Sequence, residues 1–303
     1  MAHRLGLLVN PAAGRGRARS LAGRVIERIT EIFPEPIVRF TETRGDGTLK
    51  TRALLDAGAE VIACLGGDGT FREASEALAG TGVPMAILPC GRGNDLPRSV
   101  FGKKMSISDA IKIMREPKER VLDLGFLRSR ELSFAFAVGM GFGFDARVAE
   151  GINRLRWLSG FPLYLASTLL AFRGFLPPRL GLEANGLRYE GHVLMSGAGI
   201  GRFMGGGYML FPGAEMDDGL LDTYLIEPVS FLRLAINIPK VMRGQHLTLP
   251  EVHHARAETV IYWLKEETIA QADGEVFRAG PGKIEITCER GAIRLWVPNS
   301  GLR

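Results

Sequence analysis

Val61-Ile62-Ala63-Cys64-Leu65-Gly66-Gly67-Asp68-Gly69-Thr70-Phe71 reads as an apolar strand that runs directly into a glycine-rich turn and then a helix. The run Val61 to Leu65 has no polar face, so the strand is expected to be covered on both sides, as in a parallel sheet. Gly66, Gly67 and Gly69 let the backbone come close to a polyphosphate. Asp68 supplies charge for a metal or for hydrogen bonds, and Thr70 is suited to cap the helix that begins near Phe71. An ordinary capped turn needs one such residue rather than the whole run.

Working outward, the same strand-to-helix rhythm covers the first part of the chain: Arg4 to Val9, Ser20 to Phe33, Pro36 to Phe40, Thr48 to Ala57, Val61 to Leu65, Phe71 to Leu78 and Pro84 to Leu88. Apolar strands with amphipathic helices between them imply an α/β domain with a parallel sheet, whose ligands gather beyond the carboxyl ends of the strands. A second loop of this kind, Asn10-Pro11-Ala12-Ala13-Gly14-Arg15-Gly16, follows the first strand, where backbone N–H groups can meet a phosphate. It lacks the Gly-Lys-Ser/Thr ending of a P-loop, and Arg19 stands where a dinucleotide fingerprint has its third glycine. A third, Gly91-Arg92-Gly93-Asn94-Asp95, follows the run Met85 to Leu88, so three loops are expected at one sheet edge.

Beyond about Leu124 the rhythm changes to glycine-punctuated strand runs at Ser133 to Val138, His192 to Ala198, Leu221 to Ile226, Thr259 to Tyr262, Lys283 to Thr287 and Ala292 to Val297. Helical interruptions are expected at Asp145 to Phe175 and Ser230 to Arg243. The division expected is an α/β domain over 1–125, joined by 291–303, and a mainly antiparallel β-rich domain over 126–290. No repeat, low-complexity tract or flexible linker separates them, and a cleft between the two is expected.

A chain of 303 residues with 46% hydrophobic content can bury a large core, and a formal charge of +5 favours anionic partners. No nucleic-acid-binding pattern accompanies that charge, so no nucleic acid is expected. Cys64, Cys90 and Cys288 are odd in number and far apart, which fits a reducing cytoplasm. The N-terminus shows no signal-peptide pattern. The longest apolar stretch, Phe161 to Phe175, is broken by Pro162 and Arg173 and falls short of the roughly twenty residues of a membrane span. The five histidines show no metal spacing, so zinc is not expected.

Taken together these motifs resemble the diacylglycerol kinase catalytic family, which includes bacterial lipid kinases and the sphingosine and ceramide kinases. The resemblance rests on Asn10-Pro11 with Gly14, Thr41, Gly66 to Thr70 with Glu73, and Gly91 with Asn94-Asp95. It continues through Gly141-Phe142-Gly143-Phe144-Asp145-Ala146, Gly205-Gly206-Gly207, Asp218-Gly219-Leu220-Leu221-Asp222 and Asp273-Gly274-Glu275. It implies an ATP-dependent lipid kinase with an N-terminal nucleotide-binding domain, a β-rich C-terminal domain, ATP between them, and a last strand near Ile293 to Val297 returning to the first domain. The nucleotide set it implies is Asn10, Pro11, Gly14, Thr41, Gly66, Gly67, Asp68, Gly69, Thr70, Glu73, Arg92 and Asn94. One departure stands out: Arg92 occupies a position where the family usually has threonine, and it either serves the phosphates or points to solvent.

Glu215-Met216-Asp217-Asp218-Gly219-Leu220 looks like the family's structural magnesium loop, with the Asp218 carboxylate and the carbonyls of Glu215 and Leu220 as ligands. Hard oxygen ligands suit Mg²⁺; a polar Asp-Gly turn is the plainer alternative. Asp273-Gly274-Glu275 sets two carboxylates about one turn between strand-like runs, where one can take the proton of an attacking alcohol. The resemblance favours Glu275 as base, with Asp273 as the alternative or as a metal-positioning partner and Asp68 completing the catalytic set; a plain hairpin is the competing reading. The partners implied are a lipid presented at a membrane surface and a second copy of the chain, with a cytoplasmic location that includes the membrane periphery. NAD kinases and phosphofructokinase-like enzymes also carry a Gly-Gly-Asp-Gly loop, but the Asp218 and Asp273-Gly274-Glu275 segments argue against both. A non-catalytic lipid-binding or regulatory protein on this fold draws support from Arg92 alone.

Overall fold

In the computed structural model, which describes residues 4–154 and 160–299, the first apolar runs become an alternation of strand and helix. The order is β1 (Leu5–Val9), α1 (Arg17–Thr30), β2 (Ile37–Phe40), α2 (Gly47–Asp56), β3 (Val61–Gly66), α3 (Asp68–Leu78), β4 (Pro84–Pro89), α4 (Asp95–Phe101), α5 (Ile107–Arg115) and β5 (Pro117–Arg128). The strands β2-β1-β3-β4 lie side by side, and each pair is parallel. β3 and β4 are buried at every position, as apolar strands covered by helices on both faces must be. On α1, Ala18, Ala22, Val25 and Ile29 recur at helical spacing and pack with Leu5, Leu7 and Val9 of β1 and with Ala110, Ile111 and Met114 of α5.

These elements, up to Leu124 within β5, belong to one of two units: residues 1–124, 216–218 and 289–303 form the first, and 125–215 with 219–288 form the second. The second continues with β6 (Ser133–Phe136), β7 (Gly139–Gly143), α6 (Phe144–Arg154), α7 (Gly160–Phe172), β8 (Arg179–Ala184), β9 (Leu187–His192), β10 (Met195–Gly199) and β11 (Leu221–Ile226). Then come α8 (Phe231–Met242), β12 (Val252–Ala257), β13 (Thr259–Leu264), β14 (Thr268–Ala272), β15 (Glu275–Ala279) and β16 (Gly282–Pro298), of which residues 289–298 belong to the first unit. One antiparallel sheet of this unit has the order β12-β11-β10-β7-β14-β15; the other runs from the first half of β16 through β13 and β8 to β9. Tyr262 joins the two sheets: its ring lies 4.8 Å from that of Phe142, and its hydroxyl is 3.2 Å from Ser196 Oγ and 3.3 Å from Thr223 Oγ1. The architecture is therefore an N-terminal α/β unit with a parallel sheet and a C-terminal antiparallel β unit.

Several expectations change. The expected strand Ser133 to Val138 ends at Phe136 as β6, and β7, which was not expected, starts only at Gly139, because the N–H groups of Ala137, Val138 and Gly139 turn toward a single carboxylate, that of Asp273. The runs Lys283 to Thr287 and Ala292 to Val297 form one strand, β16, whose last part pairs in parallel with β4 through Arg294 and Leu295. α4, α5 and the β8–β9 hairpin were not among the expected elements. Of the helical interruption expected at Asp145 to Phe175, residues 155–159 lie outside the described residues. Among the described residues no helix is long and apolar enough to cross a membrane.

Candidate functional site

Three loops meet at the carboxyl ends of β1, β3 and β4 in the first unit. Asn10 leaves β1 with its N–H on the Leu65 carbonyl at 2.9 Å. Its Oδ1 accepts from the Ala12 N–H at 3.0 Å, and its Nδ2 donates to Thr70 Oγ1 at 2.9 Å. Pro11 follows, half-buried, and Gly14 turns with φ 60° against the Cys90 carbonyl. Thr41 lies one residue past β2, its N–H on the Val9 carbonyl at 2.9 Å. The second and third loops touch backbone to backbone: a Cβ on Gly67 would stand 2.9 Å from Gly91 Cα, and one on Gly91 would stand 2.7 Å from Gly67 Cα. Both glycines are thus demanded by the contact between the loops themselves.

Helix α3 starts at Asp68 with Gly67 as its N-cap and no side-chain cap, so the expectation that Thr70 caps it is corrected. Thr70 is buried inside the first turn and spends its hydroxyl on Asn10. The N–H groups of Asp68, Gly69 and Thr70 precede the first intrahelical bond, from Phe71 to the Gly67 carbonyl at 3.0 Å. Asp68 Oδ1 accepts from the Leu96 N–H at 3.0 Å and so holds the start of α4. Burial pushes the Asp68 carboxyl above its usual range, against the lowering effect of backbone N–H groups at Leu96, Asp95 and Asn94. Asn94 closes the third loop on itself, accepting from the Gly91 N–H at 2.9 Å and donating to the Gly91 carbonyl at 3.1 Å. Arg92 is exposed. Glu73, expected among the nucleotide contacts, is buried and accepts the Gly47 N–H at 2.8 Å, serving the start of α2.

In the second unit Asp273 and Gly274 are the two linking residues of the β14–β15 hairpin, with φ of 48° and 82°, and Glu275 opens β15 opposite Ala272. Positive φ at both positions is the signature of the tight turn that Asp-Gly favours. The buried Asp273 carboxylate accepts the N–H groups of Ala137, Val138 (2.9 Å) and Gly139 (3.1 Å), an anchoring arrangement rather than that of an open base. Glu275 is half-buried. Gln271 links this hairpin to a residue absent from the expected site set, Asp145. Gln271 Oε1 accepts from the Gly274 N–H at 3.0 Å, and Nε2 donates to Asp145 Oδ2 at 3.1 Å. Asp145 as a whole is half-buried, yet its Oδ1 is shut off from solvent with no partner, and burial raises its carboxyl to about 7. The signal was in the sequence: an aspartate in the apolar run Gly141 to Ala146 has few ways to be hydrated.

The expected magnesium loop is divided, with Met216–Asp218 in the first unit and Glu215, Gly219 and Leu220 in the second. In the first unit, the Met216 carbonyl accepts from the Asp123 N–H at 2.8 Å, and Asp217 pairs with Arg120 at 2.9 Å. Asp218 is half-buried. Among the described residues no group of three or more His, Cys, Asp or Glu side chains is placed to hold a metal ion. A donor set of one carboxylate and two carbonyls is of a different kind, and its oxygens suit a hard cation.

Two family models match: the diacylglycerol kinase catalytic domain over residues 4–127 and the YegS C-terminal NAD kinase beta sandwich-like domain over 138–297. A diacylglycerol kinase of Mycobacterium tuberculosis is 28% identical, with 97% of this chain and 95% of that protein covered. A Pseudomonas aeruginosa protein named "Probable lipid kinase YegS-like" is 35% identical, with 87% of this chain and 85% of that protein covered. The crystal structure of a diacylglycerol kinase from Bacillus anthracis shares the fold, with a TM-score of 0.71 at 19% identity over 99% of this chain and 98% of that one. With one family model over residues 4–127, the other over 138–297 and a lipid kinase relative 35% identical over most of the chain, the chain belongs to the diacylglycerol kinase family of lipid kinases.

Proposed function

We propose that this protein transfers the γ-phosphoryl group of ATP to a hydroxyl of a lipid presented at a membrane surface, with no nucleic-acid partner. The observation that carries the reading is the meeting of three glycine-rich loops at the carboxyl ends of β1, β3 and β4, locked by the Asn10–Thr70 and Asp68–Leu96 hydrogen bonds. The first-turn N–H groups of α3, at Asp68, Gly69 and Thr70, suit phosphate oxygens, since helix N-termini favour anions. Thr41, Pro11, Gly14 and Arg92 complete the nucleotide side of the proposal. Magnesium held by the Asp218 carboxylate and the carbonyls of Glu215 and Leu220 would be structural, fixing the conformation of that loop.

For the acceptor, Glu275 is proposed as the base that takes the hydroxyl proton. Asp273 holds the turn that presents it, and Gln271 couples that turn to Asp145. In phosphoryl transfer the protein chiefly positions reactants and stabilises charge, so a lost base lowers turnover while nucleotide binding persists. The test is Glu275→Gln, assayed with labelled ATP against a panel of lipid extracts, NAD and sugar phosphates. Turnover on a lipid is expected to fall by about two to four orders of magnitude with nucleotide affinity nearly unchanged. Transfer to NAD or a sugar phosphate alone would replace the lipid acceptor. The absence of any transfer by the unaltered protein would leave a binding role.

A further inference from the structure

One face of the first unit carries a cavity whose arginines none of the roles above uses. It has a volume of about 460 Å³ and lies along α1, the third loop and the start of α5. Arg17, Arg24 and Arg28 line it from α1, over roughly 16 Å of helix axis at 1.5 Å per residue. No acidic side chain is among its lining residues. All three arginines are exposed, and among the described residues none of them forms an ion pair. Arg28 instead reaches Ser108 Oγ at 3.5 Å, on the opposite wall. That wall is the first turn of α5, whose cap, Ser106 Oγ, accepts the Asp109 N–H at 3.1 Å, leaving earlier N–H groups of the turn without intrahelical partners. Asp109, beside the cavity, is held by Ser106 at 2.6 Å and lies 3.7 Å from Lys112. Leu21 and Val25 of α1, Ile111 of α5 and Met105 give the lining an apolar part, and Gly91 and Asn94 of the third loop also line it.

Three guanidinium groups facing hydroxyls over an apolar floor make a site for a particular chemistry. Arginine forks match phosphate oxygens in pairs of charge-assisted hydrogen bonds, and the floor favours a ligand that carries hydrocarbon next to its charge. We infer that this α1–α5 cavity binds a phosphate ester bearing an apolar group, at a site that borders the third of the proposed nucleotide loops through Gly91 and Asn94. The phosphate lies at Arg24 and Arg28, about one helical turn apart, and the apolar part lies on Leu21, Val25 and Ile111. A phospholipid headgroup and a freely dissolved phosphate ester share this chemistry.

Calorimetric titration of the full chain with monomeric dihexanoyl phosphatidate tests it, beside glycerol 3-phosphate and vesicles of phosphatidylcholine with or without phosphatidate. Saturable binding of the dihexanoyl ester is expected, weakened by salt and reduced about tenfold or more in an Arg24→Gln, Arg28→Gln double variant. Both side chains are exposed, so an unchanged melting temperature confirms that the variant folds; an Arg24→Lys, Arg28→Lys variant is expected to keep part of the affinity. Phosphatidate-dependent vesicle binding that needs the same arginines identifies a lipid headgroup, whereas binding of the monomer without vesicle binding identifies a free ester. The inference is overturned if the dihexanoyl ester does not bind, if the double variant binds it as tightly as the unaltered chain, or if a non-hydrolysable ATP analogue displaces it. Nucleotide binding measured on the same samples keeps this result distinct from the fate of the kinase reading.

Discussion

At the scale of single residues, the carboxylates of the second unit divide by what their oxygens touch. Asp273 serves three backbone N–H groups, so Asp273→Ala leaves buried donors unmet and puts alanine at a φ of 48°. A loss of about 3 kcal/mol in urea unfolding is expected, against little change for Glu275→Gln. Equal stability in the two variants would remove the anchoring role. Asp145 gives a pH signature, because its carboxyl rises from 3.8 to about 7 on folding. Stability is full below the unfolded value. As pH climbs between the two values the unfolded chain ionises while the folded chain stays protonated, and up to about 1.4 kcal/mol is lost per pH unit. Asp145→Asn is therefore expected to match the unaltered chain near about pH 4 and to exceed it near about pH 8, as read by urea unfolding across that range.

At the scale of elements, several missed pieces carried legible signals. Ser106 and Asp109 form the start pattern of a capped helix, and Ala110, Ile111 and Met114 follow at helical spacing, which is α5 as observed. Ser106→Ala is expected to cost about 1 kcal/mol and to speed hydrogen exchange in the first turn of α5. Unchanged exchange there would mean the cap contributes nothing. Asn185-Gly186, with φ of 41° and 84°, is the dipeptide of a tight hairpin and joins β8 to β9. α4 was harder to read, since its seven residues include Pro97 and its start is held by Asp68, which is 27 residues before the first residue of the helix. The start of α2 is likewise served by Glu73 from another helix, while Asp46 Oδ2 accepts from Glu42 and Thr43.

At the scale of the whole molecule, the chain completes its first unit with its last strand. Trp296 is 4% exposed, and its ring lies 6.0 Å from that of Phe33, within the core built on α1 and β1. Trp296→Ala is expected to cost about 3–5 kcal/mol, as large core truncations do. A chain ending at Cys288 is expected to lose hydrogen-exchange protection at Met85 and its neighbours in β4, because Arg294 and Leu295 no longer pair there. Full protection of β4 in that shortened chain would show that the first unit completes itself without the strand.

Period and punctuation along the sequence were enough for the parallel α/β half, the antiparallel β half, the three loops and the Asp-Gly turn, because those features depend on neighbours a few residues apart. The family resemblance was equally legible in the motifs. The tasks of individual side chains were not. Whether Thr70 caps a helix or accepts from Asn10, whether Glu73 meets a ligand or the start of α2, and whether Asp273 is open or holds Ala137 to Gly139 depend on groups 26 to 136 residues away. A polar side chain leaving water takes whichever partner folding brings within reach, and that choice is made by tertiary structure.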